Sequence, residues 1–430
     1  MKAHLDSFVL AVRYLARWSL ISLLVAILAG TASALFLFSL DAATAYREQH
    51  PWIIWLLPLA GFAVGWIYLR WGSSVEAGNN LLIDEIHDPK NVVPLRMAPL
   101  VLGGTVISHL FGASVGREGT AVQMGGTLAD QLTKVAKLAP GERRILLMAG
   151  ISAGFASVFG TPLAGAIFGL EVLVIGRMRY EAIFPCIAAA ILADQVGLAW
   201  GVHHAHYAVA AVPPLTAWTI AAILAAGVAF GLAGMLFARA THALSAFMKR
   251  RVAYAPLRPL IGGTVVACAV WALGTQRYVG LGIPVIVEAF TQPLPVWDAL
   301  GKLAFTVASL GTGFKGGEVT PLFYIGATLG NALAPLLDLP FPLLAGVGFV
   351  AVFAGAANTP LASTVMALEL FGPAIGPYAA LACVVAYLCS GHAGIYRAQR
   401  GSKLPFNARR DEYPKVDQSV GQDVNQRVDR

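Results

Sequence analysis

Charge is what this sequence has least of. Only 12% of its 430 residues are Asp, Glu, Lys or Arg, against about 25% in an ordinary soluble domain. So few charges exclude a water-soluble globule and place the chain in a membrane. Cysteine is scarce too: Cys186, Cys268, Cys383 and Cys389 make up the whole complement, and no two form a CxxC pair. A disulfide framework and a thiolate metal site are thereby excluded, and buried free thiols are expected. No long basic run exists to hold nucleic acid. The net charge of +7 comes from clusters flanking apolar segments: Arg13 with Arg17, "MKRR" at 248–251, and Arg397, Arg400, Lys403, Arg409 and Arg410. By the positive-inside rule these face the cytoplasm, so both termini lie inside and the number of crossings is even. The three histidines of "GVHHAHYA" (201–208) read as a loop in water rather than a metal site.

What is present in abundance is apolar sequence, 57% of the chain. "WSLISLLVAILAGTASALFLFSL" (18–40), "PWIIWLLPLAGFAVGWIYL" (51–69) and "LTAWTIAAILAAGVAFGLAGMLF" (215–237) each suffice to span a hydrocarbon core of roughly 30 Å. The first is too long for a signal peptide and lacks its small-residue cleavage end, so it reads as a retained span. The expected fold is all-α and polytopic, one membrane unit over residues 1–400. The polar stretch 401–430 is expected to be a short, mostly disordered tail with no regulatory domain.

Many later segments are short and broken by Gly and Pro, among them "ILLMAGISAGFASVFG" (145–160), "TPLAGAIFGLEVLVIG" (161–176) and "NTPLASTVMALELFG" (358–372). Such segments must be tilted, broken or re-entrant, and irregular backbone at membrane depth has to line a polar cavity. The chain also repeats itself. "GREGTAVQMGG" (116–126) is echoed by "GGEVTPLFYIG" (316–326), with Glu118 and Glu318 standing 200 residues apart (318 − 118). "ASVFGTPLAGAIFGLE" (156–171) is echoed by "AVFAGAANTPLASTVMALE" (351–369), which aligns Thr161-Pro162 with Thr359-Pro360 and Glu171 with Glu369. Two halves, about 10–200 and 213–400, are expected, as in many secondary transporters. The repeat alone leaves open whether they run parallel or inverted.

In each copy a glycine-rich turn with a glutamate precedes an apolar helix. A helix start offers unpaired N–H groups and the positive end of a dipole, which together can hold an anion without a full positive charge. Glycine lets the backbone approach the ion closely. "GNNLLIDEIH" (78–87) has the same look, with amide donors at Asn79 and Asn80. "GREG" is not a phosphate loop, because neither the following Lys-Ser/Thr nor a preceding strand is there. Arg117 reads as a residue that snorkels to water from a helix cap. Glu118 has no such bland explanation, since a carboxylate inside a membrane is costly and is a functional candidate by default.

These residues resemble a known family. "GREGT", "GGEVTP" and "GNN" stand in the order and spacing of the anion-coordinating motifs of CLC-type chloride channels and proton-coupled antiporters, and Tyr396 in "GHAGIY" matches the family's central tyrosine. The resemblance covers about residues 10–400. It implies a fold of inverted repeats with broken, re-entrant helices, and a homodimer in which each subunit has its own pathway. It also implies an anion site built from Asn79, Gly116, Arg117, Gly119, Val319, Thr320 and Tyr396, with no metal and no cofactor.

Departures from the chloride pattern point further. Asn79 stands where chloride members carry a serine, Glu318-Val319-Thr320 replaces an apolar-containing motif, "GREGT" replaces GREGP, and Val172 occupies the place of an inner proton-transfer glutamate. In combination these resemble the fluoride-specific bacterial branch, the fluoride/proton antiporters. The chemistry agrees: fluoride is small and strongly hydrated, so an amide, a hydroxyl and a phenol must stand in for its water. The resemblance implies that Glu118 gates the site and carries the proton, that Glu318 is its coupling partner, and that the protein expels fluoride across a bacterial cytoplasmic membrane and so confers fluoride resistance. Two other readings compete. One is a chloride or nitrate transporter, or passive anion channel, of the same fold, favoured by Val172. The other is an intramembrane enzyme using Glu118 as a base, for which "DEIHDP" (84–89) is the best support, although that stretch reads as a polar helix end at the surface.

Overall fold

The computed structural model describes residues 2–175, 178–204, 207, 209, 212–391 and 394–401. The tail expected to be disordered lies, from residue 402 on, outside the described residues.

Among the described residues, sixteen α-helices form two sets of eight. The first set is α1 (Lys2–Gln49), α2 (Leu57–Ile67), α3 (Asn79–His87), α4 (Met97–Leu110), α5 (Glu118–Val135), α6 (Pro140–Phe159), α7 (Pro162–Glu171) and α8 (Ile183–Ala199). The second is α9 (Ala217–Arg251), α10 (Leu257–Leu273), α11 (Ile283–Ala289), α12 (Asp298–Thr312), α13 (Val319–Leu337), α14 (Phe341–Ala357), α15 (Pro360–Phe371) and α16 (Gly376–Cys389). The sets match in order, and in both the helix that ends before the glycine motif is short. At 1.5 Å per residue the 14-residue α4 reaches only about 21 Å, less than a bilayer core. Five helical stretches among the described residues are long and apolar enough to cross a membrane.

Local chemistry explains the breaks. Gly160 (φ +74) ends α6 in the left-handed region, and Asn358 (φ +56) does the same for α14. Glycine and asparagine are the residues that tolerate this conformation. Thr161-Pro162 and Thr359-Pro360 then start α7 and α15, each with proline in the first turn, where its missing N–H costs nothing. Helices in each half pack through bare glycine. A Cβ on Gly125 of α5 would lie 2.4 Å from Gly150 O of α6, and one on Gly326 of α13 would lie 2.0 Å from Gly348 O of α14. Small residues at crossings let membrane helices approach to backbone contact.

The halves run in opposite directions, as α7 and α15 show. Glu171, at the C-terminal end of α7, accepts hydrogen bonds from Leu361 N (3.0 Å) and Ala362 N (2.8 Å) in the first turn of α15. Glu369, near the C-terminal end of α15, accepts from Leu163 N (2.9 Å) and Ala164 N (2.8 Å) in the first turn of α7. Reciprocal capping of this kind requires the two helices to be antiparallel and related by a local two-fold, so the repeat is inverted. The interior is mostly apolar, with Phe323 and Phe349 stacked within it (centroids 4.0 Å apart). Large apolar side chains such as Leu20, Leu35, Leu232 and Trp271 face outward, as a lipid-facing surface requires.

Two expectations are corrected. Cys186 and Cys383 are buried free thiols, but Cys268 is exposed on the outer face of α10. The "DEIHDP" stretch is only partly a surface feature: Asp84 and Asp88 are exposed, whereas Glu85 and His87 at the end of α3 are buried. Arg143 of α6 accounts for Glu85. Its guanidinium pairs with Glu85 (2.9 Å) and, through two nitrogens, with Asp130 of α5 (2.7 and 2.8 Å), and it donates to Asn91 O. Asp130 in turn accepts from Val93 N. This buried network fastens α3 and the loop after it to α5 and α6. Ser and Thr pairs elsewhere in the interior, such as Thr105 with Thr120 (2.7 Å), satisfy each other.

Candidate functional site

The two glycine motifs meet at the centre of the molecule. Gly116 N donates to Gly317 O (2.6 Å) and Gly317 N to Gly116 O (2.8 Å), an antiparallel bridge between the halves. Each strand of that bridge leads straight into a helix, α5 on one side and α13 on the other. A Cβ on Gly116 would lie 2.9 Å from Gly317 O, so glycine is required for this approach.

Glu118, the first residue of α5, is fully buried and turned across the bridge to the start of the opposite helix. Its carboxylate accepts from the backbone N–H of Thr320 (3.1 Å) and from the Thr320 hydroxyl (2.6 Å). A negative group thus occupies the positive end of α13, where unpaired N–H groups and the helix dipole favour an anion. Arg117 does not snorkel to water as expected. It is largely buried, and its Nε lies 3.7 Å from Glu118 Oε1, held there because the neighbouring carboxylate is the nearest countercharge.

On the other side of the bridge is a cavity of about 580 Å³ whose wall includes Asn79, Glu318 and Tyr396. Asn79 starts α3 immediately after Gly78 (φ +60), a backbone geometry that glycine adopts without strain. Glu318 caps α13. A Cβ on Gly119 would lie 3.2 Å from Asn79 Nδ2 and 3.6 Å from Glu318 Oε2, so the two side chains converge on the bare face of this glycine. Asn79 Oδ1 and Glu318 Oε2 are both buried and have no hydrogen-bond partner among the described residues. Buried polar atoms left in this way call for a partner such as water or an ion.

Tyr396 reaches the cavity from the segment after α16. Among the contacts that hold that segment, Ala398 N donates to Asn80 Oδ1 (2.9 Å), Ile395 N to Ala356 O (2.8 Å), and Gln399 Nε2 to Ala357 O (2.7 Å) and Val172 O (2.9 Å). The phenol ring packs edge-on against Phe168 (6.4 Å). No described residue hydrogen-bonds the Tyr396 hydroxyl, although the residue is buried.

All nine residues singled out from the sequence therefore gather around the Gly116–Gly317 bridge. Glu118, Thr320, Arg117 and Gly116 form the occupied helix end, and Asn79, Gly119, Glu318 and Tyr396 border the cavity, with Val319 in the first turn of α13. Sequence reasoning missed Gly317 as the partner strand, although its place in the echoed motif was the available signal. It also missed Asn80 as the anchor of the tyrosine segment. Of the histidine loop, His203 and His204 are among the described residues and His206 lies outside them.

The model for the voltage-gated chloride channel family matches residues 60–391. The chain belongs to that family. It is 69% identical over 393 residues to a "Chloride/fluoride channel protein" of Pseudomonas syringae pv. tomato, covering 90% of this chain and 87% of the relative. It is 27% identical over 384 residues to an H(+)/Cl(-) exchange transporter of Cronobacter sakazakii, covering 82% and 81%. Among solved structures, that of a CLC-type fluoride/proton antiporter superimposes with a TM-score of 0.88 at 37% identity, covering 90% of this chain and 98% of that one. A slow cyanobacterial Cl-/H+ antiporter, at 19% identity and a TM-score of 0.76, shares the fold.

Proposed function

We propose that this protein is a fluoride/proton antiporter of a bacterial cytoplasmic membrane, exporting fluoride at the expense of a proton gradient. The observation that carries the proposal is the place of Glu118, an ionisable group seated where a helix end would otherwise hold an anion. When ionised, the carboxylate competes with fluoride for the Thr320 donors. When protonated, it loses its charge and its claim on them, and fluoride enters. One residue thus makes anion occupancy and proton occupancy mutually dependent, the condition for exchange.

Around it, Thr320, the Asn79 amide and the Tyr396 phenol supply donors for a strongly hydrated ion, assisted by the backbone of Gly116, Gly119 and Val319 and by the charge of Arg117. Glu318, in the adjoining cavity, is the proton's second station, which relieves the chain of the carboxylate it lacks at Val172. No metal or cofactor is assigned a part. The likeness to a fluoride/proton antiporter and to a relative named for chloride and fluoride supports the choice of ion. The subunits pair as a homodimer with separate pathways, and exposed Leu163 and Leu361 on the antiparallel α7 and α15 offer an apolar face for the contact. Both termini face the cytoplasm, in keeping with the basic end of α9.

The test is uphill transport. Liposomes containing the purified protein should accumulate fluoride against its gradient when a proton gradient is imposed. A passive channel, the reading favoured by Val172, would carry fluoride only downhill and move no protons. Downhill flux without uphill accumulation would falsify the antiporter assignment.

A further inference from the structure

Between Gly313 and Glu318 the chain carries a lysine that neither the gate nor the anion site uses. Lys315 lies half-buried in the wall of the 580 Å³ cavity, three residues before Glu318. Its stem packs on Gly104 of α4, where a Cβ would come within 3.1 Å of the lysine Cβ and Cγ. Its Nζ sits over the ring of Tyr68, 4.0 Å from the centroid. Aromatic faces attract ammonium ions, so this contact offsets part of the cost of burying the charge. No carboxylate of a described residue forms an ion pair with it; Glu76 and Glu318 line the same cavity, but neither is within salt-bridge distance.

The other cations on the wall lie elsewhere or are already engaged. Lys249 and Arg397 are exposed, and Arg258 donates to Val252 O and Ala253 O. Of the cavity's cations, Lys315 is the one adjoining the glycine motif. We propose that Lys315 is an electrostatic capture site for small inorganic anions, gathering them in the cavity before they pass to Asn79 and Tyr396. The site is unselective by design of its chemistry: a point charge with no fixed fork of donors attracts any small anion, and discrimination is left to the amide, hydroxyl and phenol beyond it. Low-dielectric walls focus the field of such a charge on the passage they enclose. The inference rests on the transport reading above in taking fluoride as the anion delivered.

K315M separates charge from packing, because methionine keeps the unbranched stem against Gly104. The probe is sodium fluoride efflux from liposomes, measured downhill over a range of internal fluoride. K315M should raise half-saturating fluoride about three- to tenfold, the scale expected when one unit charge is removed from a partly screened passage. Raising the ionic strength to about 1 M, where the Debye length is about 3 Å, should shift the wild type toward K315M and leave K315M nearly unmoved. K315R should restore most of the affinity and of the salt dependence. Unchanged half-saturation in K315M, or equal loss in K315R and K315M, would overturn the proposal and leave Lys315 as a packing strut. The uphill test on the wild type is independent: its failure with the K315M shift intact would remove proton coupling and keep the capture site.

Discussion

The carboxylate of Glu118 is held by Thr320, 202 residues away, through both the backbone N–H and the hydroxyl of a single residue. One half of the molecule thereby supplies the charged group and the other half the helix end that receives it. A site built in this way belongs to the joint between the halves and to neither of them alone.

Replacing Glu118 by Gln therefore tests the joint directly. The amide preserves shape but cannot take up or release a proton. Proton movement coupled to fluoride should fall about a hundredfold or more, on the scale seen when a proton-transfer group is removed. Liposome alkalinisation driven by a fluoride gradient is the readout, and coupling that survives in E118Q would exclude Glu118 as the carrier.

Thr320 can be examined through its hydroxyl alone. T320V keeps the N–H and the volume but removes the shorter of the two bonds. A hydrogen bond to a charged group contributes about 1.5–3 kcal/mol, so calorimetric fluoride affinity should drop about tenfold or more, and T320S should recover most of it. Equal affinity in all three proteins would confine Thr320 to docking the carboxylate.

Selectivity should follow Asn79. The wild type is expected to release fluoride much faster than chloride under matched gradients. N79S, which exchanges the amide for a hydroxyl, should lower the ratio of the two rates by about tenfold, the equivalent of one hydrogen bond of about 1.4 kcal/mol. A ratio unaffected by N79S would move the origin of selectivity to Tyr396 or Glu318.

Arg143 gives a prediction about stability. R143M leaves Asp130 and Glu85 as unpaired carboxylates in a buried setting, a change that costs about 3–5 kcal/mol. The detergent-solubilised protein should melt earlier. The triple variant R143M/E85Q/D130N should regain much of the loss, because no unpaired charge remains. A triple variant as unstable as R143M would mean that packing of the guanidinium, not its charge, holds α3 in place.

The legible and illegible parts of this protein differ in kind. Glycine motifs, Thr-Pro helix starts and the 200-residue echo are local patterns with one chemical meaning each, and they located the breaks, the duplication and most of the residues around the Gly116–Gly317 bridge, though not Gly317 itself. Relations between distant side chains left no such mark. Arg143, Asp130 and Glu85 stand in three different helices, and nothing in their spacing reveals that they meet. Arg117 followed the same logic in reverse: a snorkelling arginine was the reasonable expectation for a cation among apolar residues, but the carboxylate beside it in the chain supplied a closer partner than water. Glu171 and Glu369 were visible as a matched pair, yet only their positions at opposite ends of antiparallel helices show the repeat to be inverted.

Those two glutamates also set an order of assembly. Glu369, which satisfies the first turn of α7, lies 206 residues beyond Leu163 in the chain. At about 5–20 residues per second, α7 waits roughly 10–40 s after its own synthesis before the group that completes its start exists. Until α15 is made, the first turn of α7 lacks the carboxylate that accepts from it, and the arrival of α15 supplies the partners of both helix starts together.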